Sequence, residues 1–203
     1  MTSRNSSWKS DFAAGASGPE AEEIKRTTEF GNRRGPIPLL PAGKDYLWGG
    51  RRLRDDFSKD IPLTPLAETW ECSTHPDGLS LLAEDPDKTL HELLQENPWM
   101  FGTHPAKSMP EAVEKGELPV LIKFIDAASD LSVQVHPDDA YAREHENGQL
   151  GKSEMWYVVD AAPGAKLVYG FSHDMDRERV REAAQNGTLE KHLQRVPIRK
   201  DDV

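Results

Sequence analysis

From residue 36 onward, short apolar runs alternate with polar punctuation. "LAETWECSTH" (Leu66–His75) alternates around Thr, Trp and Cys and predicts a strand. "LPVLIKFIDA" is an almost unbroken apolar run, the pattern of a strand buried on both faces. "LSVQVHPDD" (Leu131–Asp139) predicts a strand entering a turn, with Ser132, Gln134 and His136 on one face and Val133 and Val135 on the other. "SEMWYVVDA" and "AKLVYGF" predict further strands, and "PIRKDDV" a strand and the start of a turn. "DPDKTLHELLQENPWMFG" predicts a short amphipathic helix. Asp85 is its N-cap, Pro86 its first residue, Leu90, Leu93 and Leu94 its apolar face, and Pro98 its stop. In "HPDDAYAREHENG", Pro137 and two acids suit a helix's first turn and Gly148 its end. "SHDMDRERVREAAQNGTLEKHLQRV" predicts one or two helices punctuated by Gly187.

Strands mixed with short helices, without regular strand–helix alternation, predict a mainly β fold. A β-barrel or sandwich decorated with helices fits that pattern. A barrel must close, and here the sequence stops where another hairpin is expected. Residues 1–35 are rich in Ser, Gly and charge with little periodicity, and are expected to form a flexible N-terminal extension.

Composition narrows the functional classes. The 203 residues suffice for one sizeable domain with its own core. Lys and Arg total 25 against 35 Asp and Glu, a formal net charge of −10. That balance argues against nonspecific binding to nucleic acid or an anionic membrane, while leaving room for a small anionic substrate held by a few local cations. The single cysteine, Cys72, excludes an internal disulfide and a zinc ribbon, and suits a reducing cytoplasm. No signal peptide is visible, and no window approaches the roughly 18 apolar residues of a membrane span.

The face carrying Ser132, Gln134 and His136 is the first chemical candidate. Facing solvent, it is the polar side of a half-exposed strand. Lining an interior, its groups need partners, and a metal ion is one. Glu154, at the start of "EMWYVVD", would add a carboxylate to the Gln oxygen and His nitrogen. That mixed nitrogen–oxygen set suits Zn²⁺, although a glutamate at a strand start is commonly just solvated. Lys123 is the only charge between Leu118 and Ile125. It is either an edge lysine reaching water along its stem or a cation facing a cavity and aimed at an anion. Lys152 is a second such cation or a turn residue. Glu68, Trp70 and Cys72 share one face of their strand, and Thr69, Glu71 and Ser73 the other, so one glutamate points inward, with a satisfied structural carboxylate as the plain alternative. His75 reads as a turn residue, His145, His173 and His192 as surface residues, and Trp99, Met100 and Phe101 as core or capping contacts. No glycine-rich phosphate loop or Ser–His–Asp signature is present.

Taken together, "YLWGG", "AETWECSTHP", "LPVLIKFIDAASDLSVQVHPDD", "YAREHENGQLGKSEMWYVVDAAPGA" and "GTLEKHLQRVPI" closely resemble type I mannose-6-phosphate isomerase in its short bacterial form. The resemblance runs from about residue 36 to the end. It implies a cupin fold, a double-stranded β-helix barrel, for which residues 36–203 would be the N-terminal part of the catalytic domain. It implies a zinc enzyme, with one Zn²⁺ per chain, interconverting mannose 6-phosphate and fructose 6-phosphate through a cis-enediol. By motif position, Gln134, His136 and Glu154 would be metal ligands. Glu68 and Lys152 would be candidate proton carriers, and Lys123 and Ser132 substrate-binding residues. The family's further histidine ligand and a pocket arginine come from beyond "RVPIRKDDV". The expectation is therefore a fragment, its barrel incomplete at the C-terminal end, with a compromised zinc site and weak or no turnover. Two alternatives stand beside it. One is a non-catalytic sugar-phosphate-binding cupin fragment. The other is a different metal-dependent cupin such as an iron oxygenase, disfavoured by Gln at the first ligand position and by the seventeen residues between His136 and Glu154.

Overall fold

The computed structural model describes residues 35–203, so the predicted N-terminal extension lies outside the described residues except for Gly35. The chain divides into two compact units, one ending at Leu131 and one spanning Ser132–Val203.

The first unit carries two three-stranded antiparallel sheets. One has the order β1 (Leu39–Leu40), β4 (Leu81–Leu82), β5 (Asp85–Thr89). The other has the order β2 (Ala42–Lys44), β3 (Glu68–Cys72), β6 (Ile122–Ile125). The strand predicted around Trp70 is thus β3, the central strand, and both its faces are covered: Glu68, Thr69 and Trp70 are all buried. One face is closed by the segment after α1 (Arg52–Asp55), where Arg54 donates to the carbonyls of Ile61 at 2.8 Å and Leu63 at 2.6 Å. On that side Phe57 packs on Phe124 with centroids 5.7 Å apart.

Two local expectations change here. The run around Ile122 is not buried on both faces. Among the described residues β6 pairs only with β3, as an edge strand, and Val120 and Ile122 are half exposed. The helix expected from Asp85 starts later, as α2 (Leu90–Glu96). Thr89, not Asp85, is its N-cap: the Thr89 hydroxyl accepts from Glu92 N–H at 3.1 Å while the Glu92 carboxylate accepts from Thr89 N–H at 2.8 Å. This capping box outcompetes the Asp–Pro pair as a start signal. Pro86 sits instead in β5, an edge strand that tolerates its missing N–H. The apolar face of α2 was legible. Leu90, Leu93 and Leu94 join Leu82 in the core, with Ile37, Leu39, Met100, Phe101 and Leu118 packed around them. Trp99 is not part of it and is 58% exposed. Beyond it lie α3 (Thr103–Ser108) and α4 (Pro110–Lys115).

The second unit holds α5 (Asp139–His145), β7 (Lys166–Phe171), α6 (Arg177–Gln185), a 3₁₀ turn (Leu189–His192) and β8 (Leu193–Pro197). Asp138 caps α5, accepting from Tyr141 N–H at 2.8 Å. β7 and β8 pair antiparallel, with α6 and the 3₁₀ turn in the connection on either side of Gly187, as the pattern predicted. The last strand lies earlier than "PIRKDDV" suggested, ending at Pro197.

The strands predicted over Leu131–Asp139 and from Glu154 are not formed: neither stretch joins a ladder among the described residues. The backbone of the second bonds at Val158, to Asp201 and Asp202 at 2.8 and 2.9 Å. Alternation becomes two faces only when a neighbouring strand fixes the pleat. Without one, Ser132 and Gln134 are exposed on one side of the alternation, and Val135 on the other is 92% exposed. The mixture of sheets and short helices matches the expected class, though among the described residues no barrel closes. No described helix is long and apolar enough to cross a membrane.

Candidate functional site

In the first unit, alternation along β3 places Glu68 and Trp70 on one face, and the β3–β6 register sets Trp70 opposite Lys123. The Lys123 ammonium lies 3.2 and 3.3 Å from the two Glu68 carboxylate oxygens, and Trp70 Nε1 donates to Glu68 Oε2 at 2.7 Å. The Glu68 side chain is only 6% exposed and that of Lys123 20%. Glu68 is therefore the buried glutamate, a carboxylate satisfied by Lys123 and Trp70, and the Lys123 ammonium is paired with it rather than reaching for water. Glu71, on the opposite face, pairs with Lys59 at 2.7 Å.

Residues the motif reading did not single out complete this face. Lys44 is the register partner of Glu68; its ammonium lies 4.5 Å above the Trp70 ring and donates to the Asp77 carbonyl. Tyr46 has its phenol held above the usual range, first by burial and then by the negative charges of Glu68, Asp77 and Asp45. Tyr46 belongs to "YLWGG", whose role is positional. A Cβ at Gly49 would stand 2.5 Å from the Ala67 Cβ, so only glycine lets this loop run against the start of β3, where Gly49 bridges to Ala127. Period-two spacing from Glu68 was a signal for Trp70. Nothing in the sequence pointed to Lys44, and Tyr46 was noted only as part of "YLWGG"; the two reach this face through register and loop.

In the second unit, α5 and the turn after it return the chain. Gly151 N–H donates to Asp139 Oδ1 at 2.8 Å and Lys152 N–H to the Pro137 carbonyl at 3.0 Å. A Cβ at Gly151 would stand 2.5 Å from the backbone of Asp138 and Asp139, so a side chain there would break this closure. The closure brings Glu154 Oε2 to 2.8 Å from His136 Nε2, and Lys152 Nζ to 3.5 Å from the same oxygen. The His136 and Glu154 side chains are 26% and 23% exposed. Partial burial alone would raise the Glu154 carboxyl's pKa. The His136 hydrogen bond, the Lys152 charge and a hydrogen bond from Trp156 together outweigh burial and hold it below the usual carboxylate range. Trp156 is a further contributor missed in the sequence. Gln134 stands apart from this contact, its amide nitrogen donating to Ser132 Oγ at 3.1 Å.

Three groupings of the sequence-predicted residues result: Glu68 with Lys123, His136 with Glu154 and Lys152, and Ser132 with Gln134. Among the described residues no cluster of three or more His, Cys, Asp or Glu side chains could hold a metal ion. An imidazole and a carboxylate at 2.8 Å, partly exposed, can share a proton or, on opening slightly, share a cation.

Residues 37–161 match the family of phosphomannose isomerase type I, catalytic domain. The chain is 39% identical over 169 residues to the probable mannose-6-phosphate isomerase GmuF of Bacillus subtilis, covering 82% of this chain and 50% of that protein. It is also 39% identical to a mannose-6-phosphate isomerase of Streptococcus mutans, with the same coverage. The crystal structure of a mannose 6-phosphate isomerase from Bacillus subtilis superposes with a TM-score of 0.72 at 38% identity, over 83% of this chain and 51% of that one. The chain thus spans about half the length of these relatives. With the family match covering well over half of its residues, the chain belongs to the type I phosphomannose isomerase family.

Proposed function

We propose that this chain serves the interconversion of mannose 6-phosphate and fructose 6-phosphate as a zinc-dependent aldose–ketose isomerase, with residues 36–203 as its part of the catalytic domain. The 2.8 Å approach of His136 to Glu154, two residues eighteen positions apart and both within the family match, carries this assignment.

One Zn²⁺ would be held by Gln134, His136 and Glu154. The donor set fits, because imidazole nitrogen with carboxylate and amide oxygens is a mixed set that zinc accepts. The low carboxyl pKa keeps Glu154 in the anionic form that a cation needs. When bound, zinc supplies Lewis-acid polarisation of the substrate oxygens and orients them. The remaining chemistry belongs to side chains. Aldose-to-ketose conversion removes the proton on C2, passes through a cis-enediol and returns a proton to C1. Glu68 and Lys152 are the proposed proton carriers. Glu68 is held by Lys123 and Trp70 in one orientation, which suits a group that must meet a proton at a fixed place. Lys123 and Ser132 are proposed to hold anionic or hydroxyl groups of the sugar phosphate. The substrate is small and anionic, in keeping with a chain whose net negative charge disfavours polyanions. A reducing cytoplasm is the proposed setting; there Cys72, whose thiol pKa is raised by burial, stays a poorly reactive thiol.

The test is the zinc content and isomerase turnover of this 203-residue chain, alongside its Gln134→Ala, His136→Ala and Glu154→Ala variants. Loss of whatever zinc the parent holds is expected in each variant, and the parent's own turnover, expected to be weak or absent, is read separately. Unchanged metal content in all three removes the ligand assignment, and sugar-phosphate binding without turnover in the parent chain would make it a binding module instead.

A further inference from the structure

A second histidine pair lies at the end of the β7–β8 ribbon. The ladder closes at Phe171 opposite Leu193, and the next residues extend it: Ser172 N–H donates to the His192 carbonyl at 2.8 Å. His173 and His192 therefore leave adjacent positions of one registered hairpin, although they stand nineteen apart in sequence. Their rings are 5.2 Å apart at 67°, and His173 Nε2 lies 3.2 Å from His192 Nδ1.

Proton assignment follows from Ser172. Its hydroxyl donates to the His192 carbonyl at 3.1 Å, so its oxygen is left to accept from His173 Nδ1 at 3.0 Å. A neutral His173 with its proton on Nδ1 presents a lone pair at Nε2, directed at His192 Nδ1. In the metal-free pair, His192 Nδ1–H donates to that lone pair.

We propose that His173 and His192 form a binding site for a divalent transition-metal ion of the zinc class, separate from Gln134, His136 and Glu154. Two nitrogens on one tetrahedral ion, with bonds of about 2.0–2.1 Å, stand about 3.3 Å apart, close to the separation already present. The shared proton moves to His192 Nε2, and each ring turns by roughly 35° so that its lone pair leaves the line between the two nitrogens and meets the ion. Ser172 orients His173 and fixes its tautomer, as hydrogen-bond partners of metal-bound imidazoles commonly do. The pair opens on a cleft of about 370 Å³, also lined by Arg179, Glu182, Asn186 and Thr188, which has room for the waters that complete the coordination. Two imidazoles favour zinc, nickel or copper over magnesium or calcium.

The experiment titrates Zn²⁺ calorimetrically, and Co²⁺ by visible absorption, into the whole chain carrying His136→Ala, which removes the ion proposed above. One saturable ion is expected to remain. Adding His192→Ala should remove it, and adding Ser172→Ala instead should weaken it roughly tenfold. Ser172 is exposed and His192 half-buried, and unchanged thermal unfolding midpoints would confirm that the variants fold. If His136→Ala binds no saturable ion, or if adding His192→Ala leaves binding unchanged, the proposal is overturned. If instead the parent chain and His136→Ala bind the same single ion, which His192→Ala removes, this site stands while the ligand role of His136 falls.

Discussion

Glu68–Lys123 and His136–Glu154 are both contacts between a carboxylate and a basic group, yet they are held in different ways. The first is set by backbone register: β3 and β6 fix where its side chains project, and both faces of β3 are covered. The second rests on no ladder. A helix cap, one hydrogen bond from Gly151 N–H to the Asp139 carboxylate, one from Lys152 N–H to the Pro137 carbonyl and a close approach at Gly151 bring its partners together from irregular stretches. A charge pair inside a packed sheet is expensive to break, because each partner leaves the other desolvated. A pair on a looser frame costs little to break but can open to admit a ligand.

The largest effect should come from Glu68→Ala. It strands the Lys123 ammonium in a largely buried position and should cost about 3–5 kcal/mol in denaturant unfolding. A loss below about 1 kcal/mol would mean that Lys123 swings to water and the ladder does not hold the pair. Trp70→Phe keeps most of the ring but removes the indole donor to a buried carboxylate. About 1.5–3 kcal/mol is expected, smaller than the Glu68 change because Lys123 remains. If it matched Glu68→Ala, the indole rather than the charge pair would organise this face.

On the looser frame, His136→Ala should cost less than about 1 kcal/mol, within the range of partly exposed pairs. The smallest effect is a pH dependence. Glu154 titrates below its unfolded-state value, so its contribution is complete above the ordinary glutamate pKa of about 4.3 and fades as pH falls through the lower folded value. Glu154→Gln should therefore reduce stability slightly at neutral pH, with its unfolding curve converging on the parent's at acid pH. Parallel curves throughout would show that the carboxylate gains nothing from its surroundings.

Much of the first unit was legible residue by residue. The alternation around Trp70 identified a strand, and it is the central one. The Leu90, Leu93 and Leu94 spacing identified the face of α2 that enters the core. The helix start was misjudged because two valid signals compete within five residues, and the capping box at Thr89 satisfies more backbone donors than Asp85 with Pro86. Around His136 the residue types were legible but the element was not. Alternation is a local property, whereas a strand exists only through a partner whose identity the segment does not encode.

The sequence by itself determined which side-chain types were available for chemistry, that a strand runs through Trp70, and which face of α2 is covered, because these depend on side-chain type and on spacing over a few positions. Only the tertiary structure decided that Lys123 meets Glu68, that Lys44 and Tyr46 belong to the same face, that Glu154 returns to His136, and that two histidines nineteen residues apart share one hairpin end. Those meetings are set by register and chain return. Both are fixed by hydrogen bonds between distant segments, not by any property of the segments taken singly.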